Sequence, residues 1–182
     1  MSTCSSAIAR PFARFAKARR GSAAVEFALV VIPFFLLTFG LVEVAMMGFA
    51  QSTLNNAVSE TSREIRTGQL QTAGLTADEI EDILCERVNT LIVMQCLDRL
   101  YLDVDRFDSF TGARNQPGPI SNGQFTPLAF QYNPGGPSDI VVVRAYYRWR
   151  VLTPMFESIF SNVAGGERIL VSTMMFRNEP YQ

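Results

Sequence analysis

Apolar positions in this chain fall into three regimes. Between Ser22 and Ala50 they are nearly continuous: sixteen residues from Phe27 to Val42 carry no charge, and Val44 to Ala50 extends the run beyond Glu43. A helix needs about 20 apolar residues to cross a bilayer, so 22–50 predicts a membrane-spanning helix. Pro33 and Gly40 lie inside it. Both residue types are commoner in membrane helices than in soluble ones, and either can loosen or kink the helix. After Ala50 the polarity changes but helical spacing continues. Leu54, Val58, Thr61 and Ile65 recur at steps of three and four, with Ser59, Glu60, Arg63 and Glu64 largely off that face. The helix is expected to run to about Thr67 and to stop at Gly68. At 1.5 Å per residue, a helix over 22–67 would be roughly 70 Å long, half in lipid and half carrying a head.

The third regime is mixed. Thr76 reads as an N-cap with Glu79 at the capping-box position. Ile80, Ile83, Leu84, Val88 and Leu91 follow at helical spacing, which predicts an amphipathic helix over 77–92. Leu100, Leu102 and Val104 alternate with Tyr101, Asp103 and Asp105, the pattern of a half-buried strand. Residues 111–137 hold five prolines and five glycines and read as a long irregular loop, with a short strand near Gln124–Tyr132. Pro134-Gly135-Gly136-Pro137 predicts a turn. Ile140 to Leu152 is the strongest strand pattern, rich in β-branched and aromatic residues. Pro154–Val163 predicts a short helix ending before Gly165-Gly166, and Arg168–Phe176 a last strand. The expected fold is α+β: a long N-terminal transmembrane helix continuing into a small extracytoplasmic head, with a second helix and an antiparallel sheet of three to four strands. The expected divisions are a leader over 1–21, the span over 22–50, its helical extension over 51–67 and the head over 68–182. Removing leader and span leaves roughly 130 residues, enough for one modest domain.

Charge adds an orientation. The chain carries −1 overall and +5 over its first twenty residues, from Arg10, Arg14, Lys17, Arg19 and Arg20, which leaves −6 for the rest. Positive charge before a span favours a cytoplasmic N-terminus, so the acidic head is expected outside the cytoplasm. Basic charge confined to a leader does not make a nucleic-acid surface. A secretory signal peptide is the rival reading of the N-terminus. Its apolar core would be about 7–15 residues with a small-x-small cleavage site; here the run is longer and no clear site follows.

Glu26 interrupts the apolar segment near its start. An acid at the centre of a membrane helix costs on the order of 2.5–3.5 kcal/mol on an insertion scale, and such groups are by default functional and want a partner. Glu43 stands near the other end of the span, where it can snorkel or meet a neighbouring subunit.

Three cysteines are present. Cys4 belongs to the leader. Cys85 and Cys96 form an even pair in a segment expected outside the cytoplasm, a compartment that favours a disulfide. On one continuous helix they would stand about 16 Å apart, too far to bond, so a bond needs the second helix to end between them. The alternative is two buried free thiols.

Catalytic parts are hard to find. The chain has no histidine, the usual general base and commonest zinc ligand, and it has neither a phosphate loop nor a dinucleotide fingerprint. Asp78, Glu79, Glu81 and Asp82 favour the dipole of a helix N-terminus as a solvated face. Asp103, Asp105 and Asp108 lack the glycine and closing glutamate of a calcium loop and read as the solvent side of an edge strand. Arg144, Arg148 and Arg150 share the face of Tyr146, either solvated or against acidic parts of neighbouring subunits. Tyr146, Tyr147 and Trp149 alternate faces and are expected to be partly core. No metal, cofactor or small-molecule substrate is called for.

The segment Arg20-Gly21-Ser22-Ala23-Ala24-Val25-Glu26-Phe27-Ala28-Leu29, followed by an apolar run with Pro33 and then Glu43, resembles the TadE-like family of pseudopilins encoded with the tight-adherence (Tad, or Flp, type IVb) pilus machinery of bacteria. The polar helix Gln51–Arg66 is similar too. The resemblance is weaker over the head, where Cys85, Cys96, Leu152-Thr153-Pro154 and Arg177-Asn178-Glu179-Pro180-Tyr181 carry it. It implies cleavage between Gly21 and Ser22 by a membrane-embedded prepilin peptidase. It also implies assembly through the N-terminal helix, with the fifth mature residue, Glu26, neutralising the new α-amino group of a neighbouring subunit and Phe27 beside it. Its implied partners are the inner membrane, the prepilin peptidase, other Tad pilins and the assembly platform. The head is larger than the minimal major pilin, so the implied role is a minor pilin or pseudopilin, not an enzyme, with the head periplasmic. TadF-like chains share the junction. The alternative is an uncleaved bitopic anchor with a protein-binding head in another envelope complex.

Overall fold

The computed structural model describes residues 19–89, 96, 98–114, 116, 118–127 and 130–181. The leader to residue 18, Cys4 included, and the helical expectation over 90–92 lie outside those residues. Helix α1 runs Arg19–Arg66 through Pro33. Proline has no N–H to give to the carbonyl four residues back. One turn on, the Thr38 hydroxyl donates to the Phe34 carbonyl at 2.8 Å.

The chain forms two compact units, divided between Val42 and Glu43. The first is the leading part of α1. Its apolar side chains are exposed on all sides, with Phe27 at 69%, Leu37 at 71% and Leu41 at 72%. A helix that is apolar all round needs lipid or protein about it. Its best window has a mean hydropathy of 2.4, and among the described residues this is the one helix long and apolar enough to cross a membrane.

The second unit is α+β. After the rest of α1 come α2 (Gln69–Thr72), α3 (Ala77–Val88), β1 (Leu100–Phe107), α4 (Phe110–Arg114), β2 (Ile120–Ser121), β3 (Gln124–Phe125), β4 (Ile140–Arg150), a 3₁₀ turn Pro154–Phe156, α5 (Glu157–Phe160) and β5 (Glu167–Arg177). The main sheet is an antiparallel meander in the order β1-β4-β5. Its register runs from Leu100 opposite Tyr147 to Phe107 opposite Ile140, and from Ile140 opposite Arg177 to Arg150 opposite Glu167.

Period two sends Val141, Val143, Ala145, Tyr147 and Trp149 of β4 to one face. There they share a core with Met47, Ala50, Leu54, Ala57, Val58 and Ile65 of α1 and with Ile80, Leu84 and Val88 of α3. Full burial of one such aliphatic side chain contributes about 1.5–3 kcal/mol, so this seam outweighs any single polar contact in the head.

The opposite face is also covered. Tyr146 stacks on Phe130 at 5.0 Å between ring centroids, and Phe125 lies 5.3 Å from Tyr101. Val163 and Ile169 complete this smaller cluster. Part of the segment expected as an irregular loop therefore roofs the sheet. It does so through the β2–β3 hairpin, whose Asn122 (φ 51°) and Gly123 (φ 72°) make a two-residue turn. Asn-Gly is the favoured pair there because both positions need positive φ.

The helix ends follow local chemistry. The Thr76 N–H donates to Glu79 Oε2 at 2.8 Å and the Glu79 N–H to Thr76 Oγ1 at 3.4 Å, the reciprocal capping box expected at α3. Gly68 stops α1 with φ 77°, and the Tyr181 ring lies so close that a Cβ there would clash with it. The C-terminal segment thereby seals the end of α1: Asn178 donates to the carbonyls of Pro134 and Gly136, and the Glu179 N–H to that of Arg66.

Candidate functional site

The N-terminal junction is helical throughout. Gly21 is the third residue of α1, and a Cβ built on it meets nothing within 4 Å. Glycine inside a helix is less favourable than alanine by about 0.8–1.0 kcal/mol. Nothing within the described residues requires glycine at this position. Ser22 Oγ donates to Glu26 Oε1 at 2.9 Å, one helical turn on. This bond engages the carboxylate with a neutral donor, and no salt bridge compensates its charge among the described residues. Phe27 follows, 69% exposed. Gly21, Ser22, Glu26 and Phe27 thus lie on successive turns of one accessible helix.

Glu43 stands apart from that group. It opens the second unit and is 2% exposed. Its carboxylate accepts from Trp149 Nε1 at 3.3 Å, the Leu152 N–H at 3.1 Å, the Thr153 N–H at 3.1 Å and Thr153 Oγ1 at 3.2 Å. Snorkelling and a subunit contact were the two states expected from the sequence. The structure instead gives an intramolecular niche, in which the ends of β4 and of the turn after it supply donors in place of water. Trp149 and Thr153 were not singled out for this role. The available signal was Leu152-Thr153-Pro154, where Pro154 starts the 3₁₀ turn and the Thr153 side chain makes no cap.

Cys85 and Cys96 form the disulfide, with Cα atoms 5.6 Å apart, inside the range a bridge needs. Helix α3 ends at Val88, before Cys96. Around the bridge, burial and then the charges of Asp78 and Asp82 raise the Glu81 carboxyl above its ordinary value. The Thr76 N–H and hydroxyl lower Glu79. Among the described residues no group of three or more His, Cys, Asp or Glu is placed to hold a metal.

Asp108 and Arg150 are exposed, as expected of a solvated face, but other acids and arginines of the sheet depart from that expectation. Asp103 is 6% exposed, not on a solvent face. It pairs with Arg144 at 2.8 Å, directly opposite in register, and accepts the Gln131 N–H at 3.1 Å. Arg148 pairs with Glu167 at 2.6 Å. Both arginines find their acids in their own chain; the roofing segment takes water away from the Asp103–Arg144 pair, while Arg148 stays 40% exposed.

An apolar helix leading into a disulfide-bridged α+β head fits the class of single-pass membrane proteins. Within that class, residues 21–63 match the family model described as TadE-like protein, the family that the sequence resembles. The match starts at Gly21 and takes in Glu26, the apolar run, Glu43 and most of the polar half of α1. Comparisons with curated proteins and with solved structures give no match.

Proposed function

We propose that this protein is a minor pilin or pseudopilin of the tight-adherence pilus, cut after Gly21 and built into the assembly through α1. The reading rests on the TadE-like match over 21–63, which associates the chain with Tad pili. One observation carries the processing step: a glycine in an open helical position, unneeded by any packing among the described residues, immediately before Ser22 and the Glu26 carboxylate. Recognition by an outside enzyme supplies the reason for glycine that packing does not. Cleavage frees the Ser22 amine. In a stack of such helices Glu26 then exchanges its local Ser22 hydroxyl for the amine of a neighbour, which removes two uncompensated charges from lipid and sets axial register. The chain is a substrate of the peptidase and a structural part of the assembly. Its basic leader faces the cytoplasm and its head the periplasm.

Intact mass and N-terminal sequencing of membrane-extracted protein, with and without the cognate prepilin peptidase, test this. A peptidase-dependent start at Ser22 is expected, with Gly21→Ala uncut but folded and Glu26→Ala cut but poorly assembled. A chain that keeps its leader in both strains overturns the reading and leaves a bitopic anchor.

A further inference from the structure

Within the second unit, α1 runs the length of the sheet. Glu43 meets Leu152 and Thr153, Gln51 Nε2 donates to the Val171 carbonyl at 2.9 Å, and Arg66 meets Glu179. The Arg150 end of β4 is therefore the end at which α1 enters the head. Counting about 20 residues for a span from Ser22 puts the hydrocarbon edge near residue 42, so the segment Leu152–Phe160 is bonded to the helix at that edge.

This segment presents apolar groups. Leu152 is 53% exposed, Met155 67% and Ile159 67%. Its one charged residue, Glu157, turns away beneath Gly166, where a Cβ would sit 2.8 Å from the carboxyl carbon. Phe156 and Phe160 pack together behind, 5.6 Å apart. On α1 itself Val44 and Phe49 are exposed as well, and Arg150 is exposed at the flank. Apolar tips beside a cation suit the boundary between acyl chains and phosphates.

We propose that Leu152–Phe160 is a second membrane contact. Leu152, Met155 and Ile159 enter the interface of the bilayer that α1 spans and seat the head on it. The proposal rests on the reading of α1 as a span. Lipid is the occupant because the patch is bonded to α1 at Glu43, the residue after the counted span, carries no exposed charge and lies at the entry end of the head.

Fluorophore depth mapping tests it. The full chain, with Cys4→Ser and the Cys85–Cys96 bridge intact, takes an environment-sensitive nitrobenzoxadiazole label at Met155→Cys or Ile159→Cys. Both sites are two-thirds exposed, so labelling spares the core. Leu37→Cys reports the span, and Thr111→Cys reports the far end of the sheet, about 33 Å away along β4. The proteins go into phosphatidylethanolamine–phosphatidylglycerol vesicles containing doxyl-labelled lipid. Quenching at 155 and 159 is expected to be several-fold above that at 111, and of the order of that at 37. Quenching at 37 with none at 155 and 159 overturns the contact and spares the span. No quenching at 37 overturns the span and the contact together. A blue shift at 155 without lipid quenching, with cross-linking to a second copy, also overturns it and assigns the patch to a protein.

Discussion

The Glu43 carboxylate accepts the Trp149 indole N–H at 3.3 Å across 106 positions of sequence. One end of this bond lies in the apolar stretch of α1 and the other in the central strand of the head. Leu152 and Thr153 add their backbone donors to the same oxygens, so one carboxylate fixes helix, strand and turn.

Glu43→Ala strips the acceptor from several buried donors. Each donor left unsatisfied costs about 1–3 kcal/mol, so the head is expected to lose about 3 kcal/mol or more of stability. Glu43→Gln keeps one acceptor oxygen and should cost less. Thermal melts in detergent, followed by Trp149 fluorescence, check the order. An alanine variant that melts with the wild type would contradict this role.

Arg144 and Asp103 are mostly buried, with side chains 16% and 8% exposed. Removing one member of such a pair leaves a charge without its partner, at about 3–5 kcal/mol. Asp103→Ala is expected to fall in that range. Replacing both by leucine should cost much less than the single change, because no bare charge remains. Denaturant unfolding of the single and double variants decides it, and equal losses would show that the pair does not act as a unit.

These two sites show what was legible in the sequence. The α+β class, the three long strands, the capping box and the Gly68 stop follow from local periodicity and end chemistry, which act over a few residues. The Asp103–Arg144 pair was missed because alternation shows that Asp103 and Leu102 face opposite ways but not that both faces are covered. The cover comes from the hairpin around Asn122-Gly123, a turn signal inside a proline-rich stretch that reads as loop. Glu43 was misplaced for a related reason. Its position in an apolar run indicates lipid, while its donors lie more than a hundred residues away, where no periodicity points. Gly21 and Glu26 stand out by resemblance alone, and the roles proposed for them, toward other molecules, would leave little trace in the fold.

The disulfide joins α3 to the residues leading into β1 across a separation of 11 positions. In the chain-entropy account, closing a loop of that size in the unfolded state contributes about 3 kcal/mol. The Cys85→Ser/Cys96→Ser double variant is expected to lose about that much while keeping the N-terminal part of α1, which lies in the other compact unit. Melts of oxidised and reduced wild type, with the double variant as reference, measure it. A reduced protein as stable as the oxidised one would refute the estimate.

Glu81 gives the head a pH-dependent weakness. Burial first, and then the Asp78 and Asp82 charges, raise its carboxyl above the ordinary 4.5. The folded state therefore holds this proton more tightly than the unfolded chain, a stabilising contribution present in acid and lost as pH rises through the folded value. When ionised, the group faces Asp78 one turn back, a like-charge pair unfavourable by about 0.2–0.5 kcal/mol. Glu81→Gln should raise the melting temperature at pH 7, and its advantage should shrink as pH falls below the carboxylate range. Glu79 titrates in the opposite sense: its lowered value marks stability present above the ordinary range and lost on acidification. Glu79→Gln should therefore bring the melting temperatures at pH 7 and pH 4 closer together. Melting curves of both variants across that interval separate the two groups. A Glu81→Gln advantage that stayed constant with pH would show that the substitution acts through packing and not through charge.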